Sequence, residues 1–308
     1  MVGAKAPTAA WLAVLTAVNV VLFLLVAYSS VQTIRGQMLD TIALAGNGLG
    51  RENVAGPLNT ALNAISVVSL VAVLAVVGMI ALARRRYSLA IAAVVLVVGS
   101  AGTTFLLKNY LINRPEFGVD PDRSGAGNSL PSGHATAAAA FAVGLVLVLP
   151  PAARGLASLI GATYAAVVGV ATLSSGWHRP SDVVAAYLIV GGWAAFAGLL
   201  LTVAQRTTAV VTSRDRSTWA LATTVAAGGL LIGAGVSALA LTFNRMTDPI
   251  EDMGARLLSF GYLASALTIA GAAYLMMAVV LVTVHRVVPH RKDGRAPQTE
   301  SQSVLAAL

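Results

Sequence analysis

The chain has 308 residues, 57% hydrophobic and 10% charged, with a net charge of +8, no cysteine and a mean hydropathy of +0.81. A water-soluble domain carries about a quarter charged residues, so the composition excludes an ordinary soluble fold and points to lipid as the solvent. The missing cysteines exclude disulfides, thiolate chemistry and cysteine-based metal centres, and basic residues scattered between apolar runs suit a membrane surface and not nucleic acid.

Apolar runs long enough to cross a bilayer fall near 9–30, 61–82, 88–107, 134–149, 156–174, 182–204, 219–242 and 260–284. They predict an all-α polytopic membrane protein with about eight transmembrane helices. The first run is long for a signal peptide and lacks a clean small-x-small end, so it reads as a span. The loop that follows it, 32–60, holds "GNGLGRE", which has neither the strand nor the acidic partner of a dinucleotide site and reads as an ordinary loop. The fourth run is short and alanine-rich and begins inside a Pro-Ser-Gly turn. "GLLIG" at 229–233 has small-x-x-x-small spacing and is expected to pack on another helix in the ordinary way. The segment after about His285 is polar and basic and predicts a disordered tail.

With eight spans the loops divide into two sets. "ARRRYS" at 83–88 and "RDRS" at 214–217 put the excess of Lys and Arg on the side that holds both termini. The positive-inside rule makes that side cytoplasmic. The loops 32–60, 108–133, 175–181 and 243–259 then face outward from a plasma membrane.

Three polar stretches share that outer face. In "KNYLINRP", Lys108 closes an apolar helix and Arg114 follows before Pro115, which prevents a simple helical continuation. Alone the pair reads equally as two snorkelling cations or as a phosphate clamp, with Lys as a point charge and Arg as a fork. In "PSGH", Ser132 is a suitable N-cap. The helix start behind it offers free N–H groups to an anion, Gly133 admits a close approach, and His134 stands beside it. In "GWHRPSD", Asp182 lies four residues after His178, within reach of one ring nitrogen. It would fix the tautomer and leave the other nitrogen free to attack. Each stretch alone also has a structural reading, as a capped helix start or an interfacial histidine. Together they match one chemistry. Cations and a helix N-terminus hold a phosphate, one histidine attacks phosphorus, and a second protonates the departing oxygen. No metal or other cofactor is required. A zinc site of two histidines and Asp182 is disfavoured by the neighbouring cations.

The three stretches resemble the type 2 phosphatidic acid phosphatase superfamily of membrane lipid phosphatases. That family carries Lys-x6-Arg-Pro, then Pro-Ser-Gly-His, then Ser-Arg-x5-His-x3-Asp. The resemblance covers roughly 60–204, the last five of six spans of a family core, and implies three units. These are a six-span core at 1–204, two further spans at 205–284 and a cytoplasmic tail at 285–308. It implies that His178 forms a phosphohistidine, that Asp182 orients it and that His134 is the general acid. Lys108, Arg114, Ser132 and Gly133 would hold the phosphoryl oxygens. The third motif departs from the pattern, because Ala171 and Thr172 stand where the family has Ser-Arg. Arg179 is expected to replace the missing arginine, with Arg123, Arg35 and Arg51 as other candidates.

The expected activity is metal-independent dephosphorylation of a lipid phosphate or diphosphate at the outer leaflet. A polyprenyl diphosphate or polyprenyl-linked phosphosugar ranks first, before phosphatidic acid and phosphatidylglycerol phosphate. A lipid phosphotransferase shares the site and differs in the acceptor. A non-catalytic phospholipid-binding or transport protein is the third reading. It leaves Lys108, His134, His178 and Asp182 without a purpose.

Overall fold

The computed structural model describes residues 5–48, 60, 62, 67–119, 127–204, 218–247 and 250–287. In chain order the helices are α1 (Lys5–Val31), α2 (Ile34–Ala45), α3 (Val67–Ala83), α4 (Tyr87–Leu106), α5 (Gly133–Val148), α6 (Pro151–Ser174), α7 (Pro180–Ala204), α8 (Thr218–Arg245) and α9 (Ala255–Val287). Among the described residues there is no strand. Among the described residues, six helices are long and apolar enough to cross a membrane, namely α1, α4 with its continuation to Leu111, α6, α7, α8 and α9. The apolar helices α3 and α5 are shorter. The chain is an all-α, multi-pass membrane protein. Arg51, Arg123 and the tail beyond Val287 lie outside the described residues.

Local chemistry sets the helix ends. Ser132 caps α5, and its hydroxyl accepts the Ala135 N–H at 3.3 Å. Pro151 and Pro180 occupy the first positions of α6 and α7, where a missing N–H costs nothing. Gly176 adopts φ +70° just past α6, the left-handed position that favours glycine after a helix. At the far end of α5, Arg84 Nη1 donates to the Val148 carbonyl at 2.9 Å and Arg154 Nε to the Leu149 carbonyl at 3.1 Å. Both cations meet the negative end of the helix dipole.

Helices in lipid gain little from mutual hydrophobicity and associate through close packing of small residues. Alanine-rich α5 follows this rule. Ala135, Ala138, Ala139, Ala140 and Ala142 are all buried, and a Cβ on Gly161 of α6 would lie 2.9 Å from that of Ala142. One apolar cluster runs from Leu12 in α1 through α5, α6 and α7 to Leu281 and Val287 in α9. The α8–α9 contact departs from the expected pattern. Gly229 and Gly233 of "GLLIG" face open space, whereas Gly235 lies against Thr268 and Gly271 against Ile232. The glycines that let these helices approach are thus Gly235 of α8 and Gly271 of α9, not the pair in "GLLIG".

The loop expected over 32–60 begins instead with α2. Thr33 caps it, accepting the Gly36 N–H at 3.1 Å. At 12 residues α2 is too short to span. It sits at the polar end of the bundle and ties other segments down. Gln37 donates to the Val31 and Pro115 carbonyls, each at 2.8 Å. Nearby, Gln32 donates to Asn113 O at 2.9 Å, and Asn47, just past the helix, donates to Leu173 O at 3.0 Å. Arg35 rests over the Phe243 ring at 5.2 Å. This end of the bundle collects the ends of α1, α4, α6 and α8 with the starts of α5, α7 and α9, and it carries the three polar stretches.

Candidate active site

His178 is the first fixed point. Its backbone N–H, like that of Trp177, donates to Thr172 O, at 3.2 and 3.0 Å. The turn closing α6 therefore aims the residues that follow it. His178 Nδ1 lies 3.1 Å from Asp182 Oδ2. The same carboxylate oxygen accepts the Arg179 N–H at 2.9 Å. Asp182 is wholly buried and His178 is 5% exposed. A proton on Nδ1 would be held against the carboxylate, which leaves Nε2 as the ring's free lone pair.

The second histidine comes from α5. The Ser132 N–H donates to the Asp182 backbone carbonyl at 3.0 Å, which joins the α5 cap directly to the first turn of α7. The two rings, His134 and His178, have centroids 6.3 Å apart, and the Trp177 ring lies 5.2 Å from that of His134. A nucleophile about 3 Å from the reacting atom and an acid about 3 Å from the departing oxygen fit between rings so spaced. Gly133 is exposed, and a Cβ there would meet nothing within 4 Å. The helix start is open to an incoming anion.

The cations arrive from two directions. Lys108 lies within electrostatic reach of His134, and its carbonyl accepts from Asn128 at 3.4 Å. It sits in a π-helical turn, Leu107–Leu111, closed by the Ile112 N–H donating to Leu107 O at 2.9 Å. Such turns recur at functional sites. Only five residues separate Lys108 from Arg114, so the expected match to Lys-x6-Arg-Pro is one residue short. Arg114 is 9% exposed and approaches Asp40 of α2, with Nη2 and Oδ2 3.9 Å apart. Arg179 is buried and its Nη1 donates to Ser129 Oγ at 3.0 Å, on the strand of chain leading into "PSGH". Thr172, at the position of the family's arginine, turns its hydroxyl back to Gly169 O at 2.8 Å, inside its own helix. Arg35 stands over the Phe243 ring and lines one cavity with Asp40 and Ser181.

One member of the site escaped the motifs. Asp40 is 6% exposed and accepts hydrogen bonds from the Ser181 hydroxyl and, at 3.4 Å, from the Ser181 N–H. Burial pushes its carboxyl up to about 6. The charge of Asp182 adds to the rise, while the Ser181 hydroxyl, Arg114 and Arg179 oppose it. The only signal in the sequence is an acid inside the apolar stretch "MLDTIALA". Its partners lie 74 and 141 positions away, so no local pattern joins them.

The family model of the PAP2 superfamily matches residues 85–208. Comparison with curated proteins and with solved structures gave no match. The matched stretch begins just before α4, later than the 60–204 expected from the motifs. It contains all three of them, and members of that superfamily generally hydrolyse phosphate esters. Over residues 85–208, from just before α4 to just beyond α7, this chain is similar to the PAP2 superfamily.

Proposed function

We propose that this chain dephosphorylates a membrane lipid phosphate or diphosphate, without a metal, through a phosphohistidine on His178. The observation that carries the reading is the pair of imidazoles 6.3 Å apart, one of them held at Nδ1 by a buried carboxylate. Nε2 of His178 attacks phosphorus, and the bond from phosphorus to the leaving oxygen breaks. His134 gives its proton to that oxygen. Water then attacks the phosphohistidine, His134 takes the water's proton, and the N–P bond breaks to release phosphate. Lys108, Arg114, the α5 N-terminus at Ser132 and Gly133, and Arg179 meet the charge that builds on the phosphoryl oxygens. These cations supply the role a metal ion would otherwise fill.

The substrate's tail stays in lipid while its phosphate enters at the polar end of the bundle. A polyprenyl diphosphate or polyprenyl-linked phosphosugar at the outer leaflet is the favoured substrate, because an outward site suits recycling of a carrier lipid. The test is phosphate release by the detergent-purified chain from a panel of polyprenyl diphosphate, phosphatidic acid and phosphatidylglycerol phosphate. Activity is expected to persist in EDTA and to vanish in His178→Ala. Loss in EDTA, or turnover retained by His178→Ala, refutes the mechanism.

A further inference from the structure

We propose that Asp40 is the resident counter-ion of the phosphate site, a positioning residue that holds Arg114 in the empty enzyme and yields it to the phosphoryl group. The inference rests on the reading of Arg114 as a phosphate ligand. Asp40 comes from α2, outside the segment matched by the family model. Nothing in the three motifs requires it.

The geometry is that of a competitor for the arginine. Arg114 and Asp40 stand at 3.9 Å, inside ion-pair range and beyond a hydrogen bond. A phosphate oxygen that reaches hydrogen-bonding distance of the guanidinium displaces a weaker contact. Asp40 is meanwhile fixed from the other side by the hydroxyl and N–H of Ser181, one residue before the carboxylate that orients His178. The charged groups facing it are Arg114 from the segment after α4, and Arg179 and Asp182 from the α7 start. Asp40 places negative charge beside the buried Arg114. Once a phosphate has entered, a second anion at the same arginine opposes binding.

The upward push on the Asp40 carboxyl, to about 6, sets the pH window. At pH 8 the group is ionised and competes. At pH 5 it is mostly protonated and does not. The Asp40→Asn variant keeps an acceptor for Ser181 and removes the charge at every pH. The ratio of wild-type to variant dissociation constants therefore isolates the titration of Asp40, because titration of phosphate and of both histidines enters both proteins alike.

The experiment is calorimetric titration of inorganic phosphate into the detergent-purified full chain between pH 5 and pH 8. Asp40→Asn is expected to bind phosphate roughly tenfold more tightly than wild type at pH 8. The two should converge by pH 5. A ratio that does not change with pH, or a variant weaker throughout, overturns the proposal and makes Asp40 a structural residue. If Asp40→Asn does not fold, Ser181→Ala serves in its place. Removing a hydrogen bond to the ionised form raises the Asp40 pKa further, so the acid-side gain in phosphate affinity must move to higher pH. An unmoved midpoint overturns the proposal. Wild type and variants all failing to bind phosphate removes the phosphate-site reading itself and this inference with it. Phosphate binding with a pH-independent ratio removes the inference alone.

Discussion

At the scale of single residues, the question is what takes the place of the arginine missing from the third motif. Thr172 does not, because its hydroxyl is turned into α6. Arg179 is buried next to His178 and bonded to Ser129, in the segment that leads to the α5 cap. A hydrogen bond to a charged group is worth about 1.5–3 kcal/mol, so Arg179→Ala should lose about 10- to 150-fold in kcat/KM. Full turnover in Arg179→Ala would exclude that role. Asp182 poses a separate test. Asparagine in its place no longer holds the Nδ1 proton of His178 by charge. The expected loss in kcat is roughly a thousandfold or more, the scale seen where a buried carboxylate orients a catalytic imidazole. A fall of only a few-fold with ordinary folding would show that His178 needs no such partner. The sequence put forward His134, His178, Asp182, Lys108 and Arg114 as candidates because the spacings within each stretch are local. Asp40 and the Arg179–Ser129 bond were hidden, since each depends on segments distant in the chain meeting at one end of the bundle.

At the scale of elements, hydropathy made eight helices readable because a span must be apolar along nearly its whole length. No such rule applies to α2, whose "IRGQMLDTIALA" mixes polar and apolar residues. The small-residue spacing in α8 also misdirected, because spacing alone does not say which face of a helix meets a neighbour. That error yields a clear prediction. A Cβ on Gly271 would lie 2.5 Å from the backbone nitrogen of Ile232, and one on Gly235 would lie 2.6 Å from that of Thr268. Backbone cannot give way as a flexible side chain can. Gly235→Ala and Gly271→Ala should therefore each destabilise the protein by about 1–3 kcal/mol. Gly229→Ala and Gly233→Ala enter open space and should be neutral or stabilising by about 0.4–1 kcal/mol. Thermal unfolding in detergent separates the two pairs, and equal effects at all four glycines would show that α8 and α9 do not pack in this register.

At the scale of the whole molecule, the two ends of the bundle carry different chemistry. One end holds the imidazoles, Lys108, Arg114 and the acids of α2 and α7. The other holds Arg84 and Arg154 at the carbonyl end of α5, with Arg85 and Arg86 following Arg84 in the chain. A cation-rich short loop resists translocation, so the second end is expected in the cytoplasm and the site outside. The absence of cysteine makes the arrangement directly measurable. Ser88→Cys and Glu116→Cys place one thiol near each end, both at exposed positions. A membrane-impermeant maleimide added to intact cells should label Glu116→Cys and spare Ser88→Cys, and both should react after permeabilisation. The reverse pattern would turn the protein over in the membrane. It would leave the pairing of His134 with His178 untouched, since that depends on packing alone. It would remove the reason for favouring an outer-leaflet carrier lipid and direct the search to phosphates of the cytoplasmic leaflet.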